Sequence, residues 1–203
     1  VPVELQGSIL LLAGLFYLVT QDVVAASILF GVVFGSIYLH ELGHAFGAIS
    51  QGVPVKRIVI NGGGGFCENA ATARPRQSEF IVIMGPLTNL VIWAVVSLSL
   101  QMWPPESALW ERALELTGRL NLFLALFNLL PIQPLDGGKL LFLYLIRVIS
   151  PLYATRICGW IGLIAAVLWI PLIYVSIVYL GFVLLFFPSF KLHWELARAK
   201  NEN

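Results

Sequence analysis

Charge is what this sequence has least of. Twelve Lys and Arg against 11 Asp and Glu leave 11% of 203 residues charged, less than half of the roughly 25% found in soluble domains. With 59% of residues hydrophobic and a mean hydropathy of +0.88, a water-facing surface over the whole chain is excluded. The net charge of +1 and the absence of any long basic run give no sign of a nucleic-acid partner, and none is expected. Cysteine is almost missing. Cys67 and Cys158 lack metal-site spacing and read as unpaired small apolar residues, so neither a disulfide framework nor a thiolate metal site is expected. Repeats, low-complexity tracts, lipidation signals and interdomain linkers are also lacking. No basic segment precedes the first apolar stretch, so a cleaved signal peptide is not expected. The start at Val1-Pro2, without Met, suggests trimming.

What the sequence has is long apolar runs. A helix needs about 20 residues to cross the hydrocarbon layer, and that ruler predicts an all-α polytopic membrane protein of about six transmembrane helices. The spans run over 5–19, 23–49, 80–101, 114–130, 153–170 and 171–187, with a polar turn at Thr20-Gln21-Asp22. Residues 53–78 interrupt the pattern. Val55 to Ile60 and Phe66 to Ala73 read as the strands of a small membrane-associated β-hairpin around Gly62, Gly63, Gly64 and Gly65. The glycines are either a loose turn or part of an exposed edge that accepts another chain. Gly85-Pro86-Leu87-Thr88-Asn89 suits close helix packing and an interhelical hydrogen bond. The tail with Trp194 and Leu196 among Lys191, Arg198 and Lys200 reads as an amphipathic helix at or beyond the interface, with His193 as a surface residue.

Within the second span, His40-Glu41-Leu42-Gly43-His44 sets three ionisable groups in an apolar run. Residues four apart share a helix face, so two neutral imidazoles can hold one Zn²⁺ while Glu41 takes a proton from water at an open coordination position. Ionisable groups in a membrane segment cost about 2.5–3.5 kcal/mol on insertion scales and mark functional sites. A third ligand is needed. Pro131-Ile132-Gln133-Pro134-Leu135-Asp136-Gly137-Gly138 breaks the fourth span with two prolines and two glycines. Irregular backbone at membrane depth must be buried in protein or line a wet cavity, which makes Asp136 the candidate. His44 and His40 lie roughly 10–17 Å along the helix from its end near Gln51. Attack on an amide carbonyl is the chemistry this set favours.

The H-E-L-G-H run, the G-P-L-T-N pentad and Asn128-Leu129-Leu130-Pro131 through Asp136-Gly137-Gly138, in that order, resemble the site-2 protease family of intramembrane zinc metalloproteases. The resemblance implies zinc on His40, His44 and Asp136, Glu41 as catalytic base, and a membrane-spanning segment of another protein as substrate. It also implies that Asn128 holds unwound substrate; a helix-to-helix hydrogen bond is its other reading. The glycine hairpin resembles the family's membrane-associated strands, to which an extended substrate adds by backbone pairing. PDZ or CBS domains of relatives are not expected here, leaving one catalytic domain over 1–187 and a cytoplasmic tail over 188–203. Two other readings stand beside the protease: a non-proteolytic protein that binds transmembrane helices around a structural metal, and a metal transporter. Glu41 argues against the first, and the single depth of the polar residues against the second.

Threading six spans gathers Lys56, Arg57, Arg74, Arg76, Lys139, Arg147, Lys191, Arg198 and Lys200 on one side. The positive-inside rule then predicts cytoplasmic termini. A multi-pass protein of the plasma membrane is expected, in contact with the lipid bilayer.

Overall fold

A computed structural model describes residues 1–175 and 187–200, which form two compact units, Val1–Phe127 and Asn128–Asn203. The first unit contains β1 (Val3–Leu5), α1 (Ser8–Thr20), α2 (Val23–Ser50), β2 (Val55–Asn61), β3 (Gly64–Asn69), α3 (Pro75–Met102) and α4 (Ala108–Asn128, whose last residue begins the second unit). The polar turn ahead of α2 is a helix cap: Asp22 Oδ1 accepts from the N–H groups of Val24 and Ala25, satisfying two donors that have no helical partner.

α2 and α3 lie close because α2 turns glycine toward its neighbour. A β-carbon on Gly43 would collide with Thr88 Oγ1 and the Met84 carbonyl, and one on Gly47 would come within 2.9 Å of Met84 Cγ. Small residues at four-residue spacing are how helices approach closely without water to drive them together.

The strands form one sheet in the order β1-β2-β3, with β1 parallel and β3 antiparallel to β2. This corrects the expected hairpin, since a third strand comes from residues 3–5, two of them ahead of the expected first span and the third its opening residue. Val3 pairs with Ile58, and Gln6 N–H donates to the Ile60 carbonyl. Being central, β2 buries Ile58, Val59 and Ile60 in succession. Ile58 and Ile60 join Ile9 and Ala45 in a core flanked by Phe30, Phe34 and Leu42. The hairpin turn needs only Gly62 and Gly63; Gly64 and Gly65 already belong to β3, paired with Asn61 and Ile60.

In the second unit, residues 129–135 are irregular, as expected for the broken helix, and α5 (Asp136–Leu145), α6 (Pro151–Val175) and α7 (Phe190–Ala197) follow. α6 continues through Pro171, so the expected division between the fifth and sixth spans is not a break. Residues 176–186, which belonged to the sixth span, lie outside the described residues. α7 is seated on α6: a β-carbon on Gly159 would strike Ala197, and one on Gly162 would strike the His193 ring. His193 is fully buried in this notch rather than a surface residue. Its sequence neighbourhood is polar, but the space its ring fills is left by Gly162, some 30 residues away.

Among the described residues, three helices are long and apolar enough to cross a membrane: Val23–Ser50, Pro75–Met102 and Pro151–Tyr174. They are apolar outward as well, with Val91, Val95, Leu98, Ile164, Val167 and Leu168 exposed. α1, at 13 residues, reaches about 20 Å at 1.5 Å per residue, short of the ~30 Å hydrocarbon thickness. α4 carries Glu111, Arg112, Glu115 and Arg119 along its length, and is not among the three.

Candidate metal centre

One turn of α2 brings His40 and His44 together. Their rings meet edge to face, 4.7 Å between centroids, and the two Nε2 atoms are 3.1 Å apart. Both are buried. Each Nδ1 is already engaged: that of His44 lies 2.9 Å from the Ile81 carbonyl, and that of His40 2.6 Å from Asn89 Oδ1. A backbone carbonyl can only accept, so His44 carries its proton on Nδ1 and presents a lone pair at Nε2. The His40 Nε2 converges on the same point, so a cation beside the pair can be held by two imidazoles.

Gly85 of α3 supplies the room. A β-carbon there would fall on Cε1 and Nε2 of His44, and 2.7 Å from Nε2 of His40. The absent side chain leaves a cradle at the converging nitrogens, and two imidazoles with fixed outer hydrogen bonds are zinc chemistry. The donors and the space therefore fit Zn²⁺. The pentad that the sequence assigns to packing does pack, yet its first and last residues also serve the two histidines.

Glu41 lies buried on the adjoining face of α2, beneath β3. A β-carbon on Gly65 would stand 2.7 Å from Glu41 Cγ and 3.1 Å from its Oε1, so only glycine lets the strand pass so near. Gly64 has φ of +143°, a conformation side chains rarely adopt. Gly62 N–H donates to Ser8 Oγ and Gly63 N–H to Asn61 Oδ1. Of the four glycines, then, Gly62 and Gly63 make the turn and Gly65 meets the carboxylate.

Three buried residues that sequence reasoning did not single out for the site stand behind His40. Asn89 Nδ2 donates to Asn121 Oδ1 at 2.6 Å, and Asn121 Nδ2 donates to Ser36 Oγ at 2.8 Å and to the Thr117 carbonyl at 2.9 Å. The only sequence signal was amides inside apolar helices, which fits any interhelical bond.

In the second unit, Asp136 opens α5 rather than lying on the irregular segment, and is buried at 3% exposure. Lys139 Nζ donates to its Oδ1 at 3.0 Å. Gly137 and Gly138 allow residues 129–133 to fold against this helix start: their β-carbons would overlap the carbonyls of Leu129 and Ile132. Asn128, half-buried, ends α4.

Away from these groups, Glu68 on β3 accepts from Lys56 and Arg57 of β2, and Arg57 also reaches Glu4 of β1. The Lys56 and Arg57 donors hold the Glu68 carboxyl below its ordinary value, and Glu68 with Glu4 raises Arg57.

Comparison with known proteins adds kinship to this geometry. The pattern of Peptidase family M50 matches residues 28–108 and 100–170. A zinc metalloprotease of Methanocaldococcus jannaschii is 34% identical over 137 residues, 67% of this chain and 40% of that protein. Stage IV sporulation protein FB of Bacillus subtilis is 39% identical over 109 residues, 53% of this chain and 36% of that one. The chain thus spans well under two thirds of the length of these relatives. Among solved structures, the site-2 protease from M. jannaschii superposes with a TM-score of 0.68 at 25% identity, over 99% of this chain and 93% of that one.

Proposed function

We propose, since this chain belongs to peptidase family M50, the site-2 protease family, that it is an intramembrane zinc metalloendopeptidase that hydrolyses a peptide bond within a transmembrane segment of another membrane protein. The observation that carries this reading is the pair of facing Nε2 atoms on a membrane-length apolar helix, with a buried carboxylate between them in sequence. Bound zinc supplies a Lewis acid that acidifies water and polarises the scissile carbonyl. His40 and His44 hold it as neutral ligands, and Asp136 is the third ligand. Support for Asp136 comes from its burial and from the glycines that shape the start of its helix.

Glu41 accepts the proton of the attacking water and delivers it to the leaving amine. Its burial keeps that carboxylate out of bulk water. The substrate must unwind first, because a helix hides its amides in its own hydrogen bonds. An extended segment can then pair with the outer edge of β3, the strand that runs against Glu41. Gly65 sets that edge against Glu41, with Gly62, Gly63 and Gly64 shaping the approach and Asn128 holding the opened backbone. We place about six spans and both termini toward the cytoplasm of the plasma membrane, from the distribution of Lys and Arg.

Purified protein with a model transmembrane substrate tests the reading. Cleavage is expected from the native chain and lost both with Glu41→Gln and with a chelator, while Glu41→Gln keeps its zinc. Cleavage that survives Glu41→Gln would remove Glu41 from the mechanism.

A further inference from the structure

We infer that Asn121, braced by Ser36 and the Thr117 carbonyl, is a positioning residue that fixes the proton of His40 on Nδ1 through Asn89, so that Nε2 is held ready for metal. The inference rests on the reading of His40 as a zinc ligand, and extends the site to two helices beyond the one bearing the motif.

The Thr117 carbonyl can only accept, so the atom of Asn121 that faces it at 2.9 Å must be the amide nitrogen. That choice sends the nitrogen's second hydrogen to Ser36 Oγ at 2.8 Å and turns Oδ1 toward Asn89. Asn89 must then offer its nitrogen to Asn121. The remaining hydrogen of that nitrogen points to the Ser36 carbonyl, at a longer 3.4 Å. Asn89 Oδ1 is left to face His40 Nδ1 at 2.6 Å, and an acceptor there obliges the imidazole to carry its proton on Nδ1. Every amide in the chain has one permitted orientation, set by the Thr117 carbonyl on α4 and, through a longer contact, by the Ser36 carbonyl on α2.

Burial makes the arrangement binding. Asn89 and Asn121 are fully buried and Ser36 is 3% exposed, so no bulk water can substitute for a missing partner. Ser36 stands one turn before His40 on α2, which lets that helix contribute the far end of the chain as well as the ligand. Without Asn121, only the 3.4 Å contact to the Ser36 carbonyl opposes rotation of Asn89, and the amide can present its NH₂ to His40. The ring then favours a proton on Nε2, and that tautomer cannot bind metal through Nε2. His44 needs no such device, because a backbone carbonyl already fixes it.

The test is zinc affinity, measured by chelator competition on full-length protein in micelles. Asn121→Leu is expected to weaken binding about 10–100-fold, the range seen when a partner behind a ligand is lost. Asn89→Asp alone sets a second oxygen against Asn121 Oδ1 and should itself weaken zinc, whereas the Asn89→Asp/Asn121→Leu double variant, freed of that clash, should bind zinc more tightly than Asn121→Leu alone, because a carboxylate accepts from Nδ1–H in any orientation. In the Asn89→Asp background, adding Asn121→Leu should cost no further affinity. A merely structural asparagine would weaken binding equally in both backgrounds, and that equality would overturn the inference, as would native affinity in Asn121→Leu alone. If the native chain bound no zinc, or His40→Ala bound it unchanged, the functional reading beneath the inference would fall instead.

Discussion

A methyl group added at Gly85 would land on the nitrogens of both His40 and His44, so this position joins packing and chemistry in one atom. Gly85→Ala is expected to lower zinc occupancy and to destabilise the protein by about 1–3 kcal/mol, the usual cost of overpacking; metal analysis beside a thermal melt checks both. At Gly65 the outcome should differ, because the added carbon meets Glu41 and not the histidines. Gly65→Ala is expected to keep zinc and lose at least tenfold in kcat, the scale of a misplaced general base. The placement of His40, Glu41 and His44 on one helix is legible in the sequence, because their spacing is local to it. Gly85 and Asn89 read there as packing residues because a hydrogen bond to an imidazole 49 residues away leaves no trace in local spacing. Asn121 and Ser36 were invisible for the same reason: their meaning depends on which helices become neighbours.

At the scale of elements, the apolar helices and the break before Asp136 were legible, since hydropathy, proline and glycine act on the nearby chain. β1 was not, because three residues with no periodicity become a strand only once β2 offers an edge. The helix of the tail is legible as well, but His193 reads as a surface residue because its polar neighbours are visible in sequence, whereas the glycines of α6 that receive α7 are not. Filling that notch with Gly162→Val should expel His193 and make α7 cleavable in limited proteolysis, with zinc content unchanged. The sheet has its own acid sensitivity. Glu68 is held below its ordinary value of 4.5, so its pairing with Lys56 and Arg57 stabilises fully above that value and is lost as pH falls through the lower folded one. The effect is small because the groups are solvent-exposed and screened. Glu68→Gln is expected to flatten the acid limb of a stability-against-pH curve, and only at low salt.

For the whole molecule, the outward apolar residues of α2, α3 and α6 require lipid or detergent, and the protein is a membrane protein. Cysteine substitutions at Arg74 and Lys139 should react with an impermeant thiol reagent from the cytoplasmic side, while one at Glu106 should react from the other; labelling of all three from one side would overturn the proposed threading. The sheet has a bearing on stoichiometry. With β1 fastened along one flank of β2 and β3 along the other, the sheet keeps two outer borders, and only that of β3 belongs to the strand that passes over Glu41. Under the proposed function, turnover would then be serial, one polypeptide at a time on that border, and a non-cleavable extended peptide lodged there would silence the proposed hydrolysis.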